Sequence, residues 1–162
     1  MIYIISGNIG EGKSYNLLEW IRHRTDVSGI LSPRLVYEDR YFFDIGNRDV
    51  FNMQAHQVDN NTISVGRYHF LKSAFKRANT VIQRSLSQNE AGYLIIDELG
   101  KLELRSEGLH ESALLAIEKT IHSRVFHLIL VVRTSLLEKV ITKYALDPYE
   151  LIDKDQLFDK LI

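Results

Sequence analysis

Short apolar runs alternate along the chain with longer segments in which apolar residues recur at helical spacing. Three of the runs, at residues 2–5, 93–96 and 128–132, are continuous, as is typical of parallel strands covered on both faces. Helical spacing follows the first run, over residues 17–21. Strands that alternate with helices predict an α/β fold with a mostly parallel sheet flanked by helices and right-handed crossovers.

Two longer amphipathic stripes predict the main helices. The first comprises Phe70, Leu71, Ala74, Phe75, Ala78, Val81, Ile82 and Leu86. The second comprises Leu109, Ala113, Ala116, Ile117 and Ile121. Basic residues lie opposite the first stripe, so we expect its apolar side to pack on the sheet and its basic side to face solvent.

Residues 34–54 follow a pattern of their own. Three short apolar or aromatic runs, at 35–37, 41–43 and 50–51, are separated by charged and turn-forming residues. This pattern is typical of strands joined by tight connections and not of a helical crossover. It predicts an antiparallel β-meander added to one side of the parallel sheet.

The end of the chain carries signals for two more elements, a last strand at residues 149–152 and a short closing helix at 157–161. No linker rich in Gly, Pro or Ser, no repeat and no low-complexity tract interrupts the sequence. A chain of 162 residues has the length of one domain, so we expect residues 1–162 to form a single domain. Its 45% hydrophobic and 25% charged residues exclude the disordered and fibrous classes.

Charge and cysteine content narrow the possible partners. The formal net charge is −1, so the chain has no overall positive field for nucleic acid or an anionic membrane. Cysteine is absent and the six histidines lack zinc-binding spacings, so a bound metal would be held by oxygen atoms. No apolar run approaches the roughly 18 residues of a membrane span, and the first run is too short for a signal peptide. We therefore expect a cytoplasmic protein without a membrane or nucleic-acid partner.

A glycine-rich segment joins the first predicted strand to the first predicted helix. It reads Gly7, Asn8, Ile9, Gly10, Glu11, Gly12, Lys13, Ser14, followed by Tyr15, and satisfies the phosphate-loop pattern G-x-x-x-x-G-K-[ST]. Its glycines allow turns that a Cβ would hinder, so successive amides can point at phosphate oxygens beside the positive end of the helix. Lys13 can then reach the β- and γ-phosphates, and the Ser14 hydroxyl can ligate Mg²⁺. The segment predicts a nucleoside-triphosphate site over residues 7–15.

The second predicted strand ends in two acidic residues, Asp97 and Glu98. A carboxylate at the end of a buried strand is costly unless it is paired, so we expect Asp97 to hold Mg²⁺ together with Ser14. Glu98 is expected to point elsewhere and to orient or deprotonate a water near the γ-phosphate. The continuation to Gly100 also meets the form D-x-x-G, which predicts a hydrogen bond from the Gly100 amide to the γ-phosphate.

With these residues, the chain resembles the small P-loop nucleoside-triphosphatase family that includes the thermophile-type NTPases and the human cancer-related nucleoside-triphosphatase. Residues 97–106, DELGKLELRS, are close to the family signature Asp-Glu-Ile-Gly-Lys-Met-Glu-Leu, and residues 65–68 resemble its Val-Gly-Lys-Tyr element. The resemblance covers nearly the whole chain. It implies a RecA-like core, hydrolysis of nucleoside 5′-triphosphates with Mg²⁺ and loose base preference, and support of catalysis by Lys101 and Glu103.

The chain also departs from the family pattern at three places. They are Tyr15, where the family has a second Thr, the segment Arg34-Leu35-Val36, and Asp155-Gln156, where the last strand of the family leads into Asn-Arg. The departures concern contacts with the rest of the substrate, and the phosphate loop itself is unaffected.

Phosphoryl transfer also requires a cation near the developing charge, in addition to Lys13. The candidates are Lys101, in the matched signature, Arg105, and Arg133, which follows the third predicted strand. Our predicted catalytic set is Lys13, Glu98 and Lys101. If no arginine is well placed, turnover is expected to be slow.

These residues predict Mg²⁺-dependent hydrolysis of nucleoside triphosphates to diphosphate and phosphate; the oligomeric state is left open. Two alternatives remain. One is a kinase for a small hydroxyl compound or a nucleoside, whose lid would need arginines such as Arg22, Arg24 and Arg34. The other is a nucleotide-responsive regulatory module with little hydrolysis. Trp20 is expected to pack in the core and not to stack on a base.

Overall fold

A seven-stranded sheet lies at the centre of the protein, within residues 1–33 and 39–161, the residues described by a computed structural model. Its strands are β1 (Ile2–Gly7), β2 (Val27–Leu31), β3 (Tyr41–Asp44), β4 (Asp49–Asn52), β7 (Gly92–Leu99), β8 (Phe126–Arg133) and β9 (Tyr149–Ile152). Their order across the sheet is β4-β3-β2-β7-β8-β1-β9. The five strands from β2 to β9 in this order are parallel, and β3 and β4 are antiparallel. A separate hairpin consists of β5 (Thr62–Val65) and β6 (Tyr68–Leu71).

Helices cover both faces of the sheet. They are α1 (Lys13–Trp20), α2 (Lys72–Gln88), α3 (Lys101–Leu104), α4 (His110–Ile121), α5 (Leu137–Tyr144) and α6 (Leu157–Lys160). Apolar residues of α2 and α4 pack on one face, and those of α1 and α6 pack on the other. In the described ranges, no helix combines the length and the hydropathy needed to cross a membrane.

The parallel strands are buried on both faces, which explains their continuous apolar sequence. In β7, Leu94 and Ile96 belong to the core beneath α2 and α4, whereas Ile95 belongs to the core beneath α1. None of the three side chains is exposed, and burying one contributes roughly 1.5–3 kcal/mol. This burial fixes the register of β7 and therefore the position of the residues at its carboxyl end.

Most of the predicted elements are confirmed. The three continuous apolar runs are β1, β7 and β8, the last strand is β9, and the closing helix is α6. The predicted antiparallel addition is confirmed by β3 and β4, which pair Phe42 with Phe51 at one edge of the sheet. The predicted run at 35–37 lies outside the described residues.

The assignment of Phe70 and Leu71 to a helix is wrong, because both residues lie in β6. The β5–β6 hairpin leads directly into α2 and delivers Phe70 to the same core that the helix covers. Phe70 is buried, with its ring centroid 6.0 Å from that of Phe75. Helical spacing therefore continues by coincidence into a strand.

The strand β2 has no continuous apolar run, because Ser28 and Gly29 interrupt it. Gly29 has a φ of 108°, and a Cβ at this position would overlap the backbone of Ile95 in β7. Glycine is therefore required for the close pairing of β2 with β7. This pairing places the carboxyl end of β2 beside those of β7, β8 and β1, at the edge where open α/β sheets bind ligands.

Candidate active site

The glycine-rich loop lies at the carboxyl end of β1 and leads directly into α1. Gly10 and Gly12 have φ angles of 82° and 81°, in the left-handed region that favours glycine. Gly12 is the N-cap residue of α1, so the amides of the first helical turn open toward the loop. A concave group of amides at a helix N-terminus suits an anion such as phosphate.

Two side chains close this loop on itself. The Nζ of Lys13 donates to the carbonyl oxygens of Gly7 and Asn8 at 2.9 and 2.6 Å. The Glu11 carboxylate accepts from the main-chain and side-chain N–H groups of Asn8, both at 2.7 Å, and these bonds lower the pKa of Glu11. Gly7 does not have a left-handed backbone; a Cβ there would lie 2.6 Å from the Glu11 carboxylate. Gly7 therefore provides space for Glu11, whereas the turns are made at Gly10 and Gly12.

The loop meets the end of β7 through a hydrogen bond from Ser14 to Asp97. The Ser14 hydroxyl donates to Oδ2 of Asp97 at 2.5 Å, and the Ser32 amide donates to the same oxygen at 3.0 Å. Asp97 is only 2% exposed. Loss of hydration on burial, together with the nearby Glu98 carboxylate, raises the pKa of Asp97 to about 6 despite these two donors. The predicted proximity of Ser14 and Asp97 is therefore present in the structure.

Glu98 points to a different partner from Asp97. A bulge in the β7–β8 pairing follows Asp97, so that Leu99 and not Glu98 pairs with Val132. The Glu98 carboxylate lies 2.6 Å from the Arg133 guanidinium, at the carboxyl end of β8. Arg133 is in turn opposite Gly7 in the β1–β8 register. The ion pair therefore stands beside the start of the glycine-rich loop.

In this structure the Gly100 amide, which the D-x-x-G form predicts to bind a γ-phosphate, is engaged within the protein. The Gly100 amide donates to Glu103 Oε2 at 2.8 Å, and the Leu109 amide donates to Glu103 Oε1 at 2.8 Å. Glu103 is 3% exposed, and its burial raises the pKa of its carboxyl group. Both carboxylate oxygens thus fasten α3 to the preceding strand and to the start of α4, so Glu103 has a structural role here.

The three candidate cations occupy different places. Arg133 borders the cavity at the glycine-rich loop. Lys101 is the exposed first residue of α3 and borders a neighbouring cavity instead. Arg105 donates to Glu107 at 2.9 Å and to the Ser64 carbonyl at 3.3 Å, and it borders neither cavity. Of the three, only Arg133 lies with the glycine-rich loop.

A cavity of about 560 Å³ lies over the loop. Its polar lining includes Lys13, Ser14, Glu98 and Arg133. Its outer part includes Ile9 and Tyr15, which are 57% and 64% exposed. The cavity thus has a charged end beside the sheet and an apolar, aromatic end toward solvent.

Several residues that could compete for a role in the site lie elsewhere. Trp20 is buried, donates from its ring nitrogen to the Leu161 carbonyl at 3.1 Å and packs edge-on against Tyr93, which confirms its packing role. Arg24 lies over the Trp20 ring and pairs with Asp26. Arg22, just after α1, pairs with Glu19 of that helix, and Arg34 lies outside the described residues. Arg22 and Arg24 therefore do not contribute to a lid.

Ser32 and Arg40 also line the site, although the sequence patterns did not indicate them. The amide of Ser32 donates a hydrogen bond to Asp97. Arg40 lines both the cavity over the glycine-rich loop and the neighbouring cavity. Both residues follow β2, which has no strand signal of its own. Recognition of β2 as a parallel strand would have indicated Ser32, because the carboxyl ends of parallel strands share one edge of the sheet.

Comparisons with known proteins agree with this fold. A family model described as NTPase matches residues 2–159. No curated protein matches the sequence significantly. The chain is similar in structure to THEP1 from the hyperthermophile Aquifex aeolicus, with a TM-score of 0.73 and 16% identity over 100% of this chain and 97% of that chain. It is also similar to the solution structure of a human cancer-related nucleoside triphosphatase, with a TM-score of 0.67 and 14% identity over 98% and 93% of the two chains. At these identities the two structures bear on the fold alone.

Proposed function

The chain belongs to the NTPase family and is therefore an enzyme that hydrolyses nucleoside triphosphates; from this premise we propose a Mg²⁺-dependent reaction with loose base specificity and slow turnover. The observation that carries the proposal is the 2.5 Å hydrogen bond between Ser14 and Asp97. This contact joins the phosphate-loop pattern to an acidic strand end, the combination that a metal-bound polyphosphate requires. In the proposed complex the phosphates lie along residues 7–15, and Lys13 exchanges its bonds to loop carbonyls for the β- and γ-phosphates.

The residues at this contact also fit Mg²⁺, because a hydroxyl and a carboxylate are hard oxygen donors. We assign Ser14 and Asp97 as the residues that hold the ion. In residues 1–33 and 39–161 no group of three or more His, Asp or Glu converges, so the other ligands would be substrate phosphates and water. When bound, Mg²⁺ neutralises charge on the β- and γ-phosphates.

The Glu98–Arg133 pair is proposed to act on the attacking water. Glu98 orients the water and accepts its proton while the oxygen bonds to the γ-phosphorus and the bond to the β–γ bridging oxygen breaks. Arg133 fixes the Glu98 carboxylate at 2.6 Å and places a positive charge at the end of β8, beside the loop. We therefore propose Arg133 as the charge-stabilising cation, in place of Lys101 or Arg105.

Loose base specificity follows from the outer end of the cavity. Tyr15 and Ile9 offer an exposed aromatic and apolar surface there. Stacking on an aromatic ring is tolerant of sequence because every base has a π-face. A nucleobase held mainly in this way would be bound without much regard to its identity.

The test is phosphate release from ATP, GTP, CTP and UTP by the full chain, with Mg²⁺ and with a chelator. With one internal arginine we expect a turnover on the order of 10⁻² s⁻¹ for all four nucleotides, and none with the chelator. The variant Ser14→Ala should lose the Mg²⁺-dependent activity, whereas Ser135→Ala, at an exposed serine, should keep it. Equal rates with and without the chelator, or tens of turnovers per second, would contradict the proposal.

We propose further that residues 1–162 form a single domain. The cytoplasmic location, inferred from composition, and the lack of a nucleic-acid partner stay predictions.

A further inference from the structure

A second cavity, of about 260 Å³, adjoins the proposed nucleotide cavity. Four residues line both cavities: Ser32, Arg40, Glu98 and Arg133. The two cavities therefore meet at the Glu98–Arg133 ion pair, where the γ-phosphoryl group is expected. Hydrolysis does not account for this space, because one water molecule needs only about 30 Å³. Its volume lies below the roughly 300–1,000 Å³ of pockets for drug-sized ligands, so it suits a smaller molecule.

Aromatic side chains form the floor of this second cavity. Phe42, Phe70 and Phe75 line it and are buried in the main core. The ring centroids of Phe42 and Phe75 are 5.3 Å apart at 88°, and those of Phe70 and Phe75 are 6.0 Å apart at 63°. Such edge-to-face packing holds the floor rigid and presents ring surface to the cavity. A flat apolar ring is the ligand group that this floor fits.

The described lining includes two basic residues, Arg67 and Lys101, whose positive charge can face a ligand. Its acidic residues Asp97 and Glu103 already accept hydrogen bonds from protein donors, and Glu98 is paired with Arg133. Besides Arg133 and Arg40, which has a partner of its own, the basic residues of the described lining are Arg67 and Lys101. Lys101 has no hydrogen bond or ion pair to the described residues. These cations suit an acidic group on the ligand.

The β5–β6 hairpin forms the cover of the cavity, through residues 65–68. Arg67 is exposed at its turn and donates to the Tyr68 hydroxyl at 3.1 Å. Arg105 of the α3 region donates to the Ser64 carbonyl at 3.3 Å and so ties the hairpin to the segment that carries Lys101. The two basic residues at the entrance, Arg67 and Lys101, are thus held on connected elements.

We propose that this cavity binds a small aromatic alcohol that carries a carboxylate, and that its hydroxyl accepts the γ-phosphoryl group in place of water. The inference rests on the proposed function, because it uses the same nucleotide and the same base, Glu98. The hydroxyl oxygen forms a bond to the γ-phosphorus, and the bond from that phosphorus to the β–γ bridging oxygen breaks. The hydroxyl proton passes to the Glu98 carboxylate. The products are the nucleoside diphosphate and a phosphate monoester.

The experiment follows the γ-phosphate of radiolabelled ATP in the full chain with Mg²⁺ and each of four probes. Two probes, 3- and 4-(hydroxymethyl)benzoate, have the ring, the acid and the hydroxyl. Benzyl alcohol lacks the acid, and 4-methylbenzoate lacks the hydroxyl. We expect labelled ester from the hydroxymethylbenzoates, about tenfold less from benzyl alcohol because a charge-assisted hydrogen bond is lost, and none from 4-methylbenzoate. The last should still bind, as seen by saturation-transfer NMR, and should inhibit ester formation.

Variants locate the probe in the cavity. Arg67→Gln should reduce ester formation and 4-methylbenzoate binding by about tenfold, and Val65→Phe, at the cover, should reduce both by filling space. Lys76→Gln, which removes an exposed positive charge outside both cavities, should change neither. Label that appears only as inorganic phosphate, with no binding of 4-methylbenzoate, overturns the acceptor site and leaves hydrolysis standing. Binding that persists unchanged in Arg67→Gln and Val65→Phe also overturns it. If no ADP forms under any condition, the proposed function itself fails.

Discussion

The hydroxyl of Ser14 lies 2.5 Å from a carboxylate oxygen of Asp97, although 83 positions separate the two residues in the sequence. Among the described residues this carboxylate accepts hydrogen bonds from two donors, the Ser14 hydroxyl and the Ser32 amide, and it is buried. A buried carboxylate without a cation is costly to ionise, which is why the pKa of Asp97 rises to about 6. The site is therefore suited to a bound cation. The ionised Asp97 carboxylate lowers the free energy of unfolding of the metal-free protein.

The first prediction concerns the stability of Asp97→Asn. The folded-state pKa of Asp97 is about 6, above its ordinary value of 3.8, so the folded chain binds the proton more tightly than the unfolded chain. The resulting stability is present below pH 4 and is lost as the pH rises through about 6, a difference of about 3 kcal/mol. Asp97→Asn should therefore raise the free energy of unfolding of the metal-free protein near pH 8, raise it less near pH 5, and abolish hydrolysis.

Denaturant unfolding at these two pH values, with chelator present, measures the effect. The matched control is Asp159→Asn, which removes an exposed carboxylate of α6 and should give no pH-dependent gain. An Asp97→Asn variant that is less stable at both pH values by the same amount would show that the carboxylate is not strained by burial.

The second prediction concerns Lys13→Ala. Lys13 is 7% exposed and already donates to two loop carbonyls, so its ammonium group is held where the phosphates are expected. Loss of a hydrogen bond to a charged group costs about 1.5–3 kcal/mol, so affinity for ATP should fall by about 10- to 100-fold. Titration calorimetry with ATP and Mg²⁺ measures this, with Lys139→Ala as the control at an exposed lysine of α5. Undiminished affinity would place the nucleotide elsewhere.

The third prediction separates binding from chemistry at Glu98. Because Glu98 is proposed to act on water and not on the phosphates, Glu98→Gln should keep nucleotide affinity while kcat falls by about 10²- to 10⁴-fold. Arg133→Gln should also lower kcat, and the double variant should lose less than the sum of the two, because the residues form one ion pair. Single-turnover phosphate release checks both, with Glu138→Gln as the control. Full additivity would mean that the two side chains act independently.

The parts of the fold with a strong local signal could be predicted from sequence. These parts are the continuous apolar runs of β1, β7 and β8 and the glycine-rich loop. Each requires particular residues at neighbouring positions, so each can be recognised from the sequence alone. The strand β2 is not, because Gly29 is selected by the closeness of Ile95, a contact made across the sheet. The helical spacing assigns Phe70 to the wrong element for a related reason. The strand β6 and the helix α2 follow each other and bury their apolar residues in the same core, so the apolar pattern does not show where one element ends and the other begins.

The site shows the same division. The position of Lys13 in the loop and the meeting of Ser14 with Asp97 could be predicted, because each residue belongs to a motif with a mechanical reason. The hydrogen bond from Gly100 to Glu103 and the ion pair from Arg133 to Glu98 could not, since they depend on the bulge after Asp97 and on the register of three strands. Lys101 lines the neighbouring cavity and not the loop cavity, a separation that sequence order does not reveal.

The fourth prediction tests the stacking surface at Tyr15. If the exposed ring binds bases without regard to identity, Tyr15→Ala should weaken ATP, GTP, CTP and UTP similarly, by about 1–3 kcal/mol each. Tyr15→Phe should retain the affinity, because the ring is kept. Tyr149→Ala, at an exposed tyrosine of β9, is the control. A loss confined to one base would indicate that Tyr15 takes part in specific recognition.

The fifth prediction concerns Glu103, whose buried carboxylate accepts from the amides of Gly100 and Leu109. In Glu103→Gln one oxygen becomes an NH₂ group, which cannot accept, so one buried amide loses its partner at a cost of about 1–3 kcal/mol. Thermal unfolding should show this loss, and Glu107→Gln, at a partly exposed glutamate nearby, should show much less. Because Glu103 is structural here, affinity for ATP should be retained at temperatures where the variant is folded. A variant of unchanged stability whose kcat falls about 100-fold would instead assign Glu103 to the chemistry.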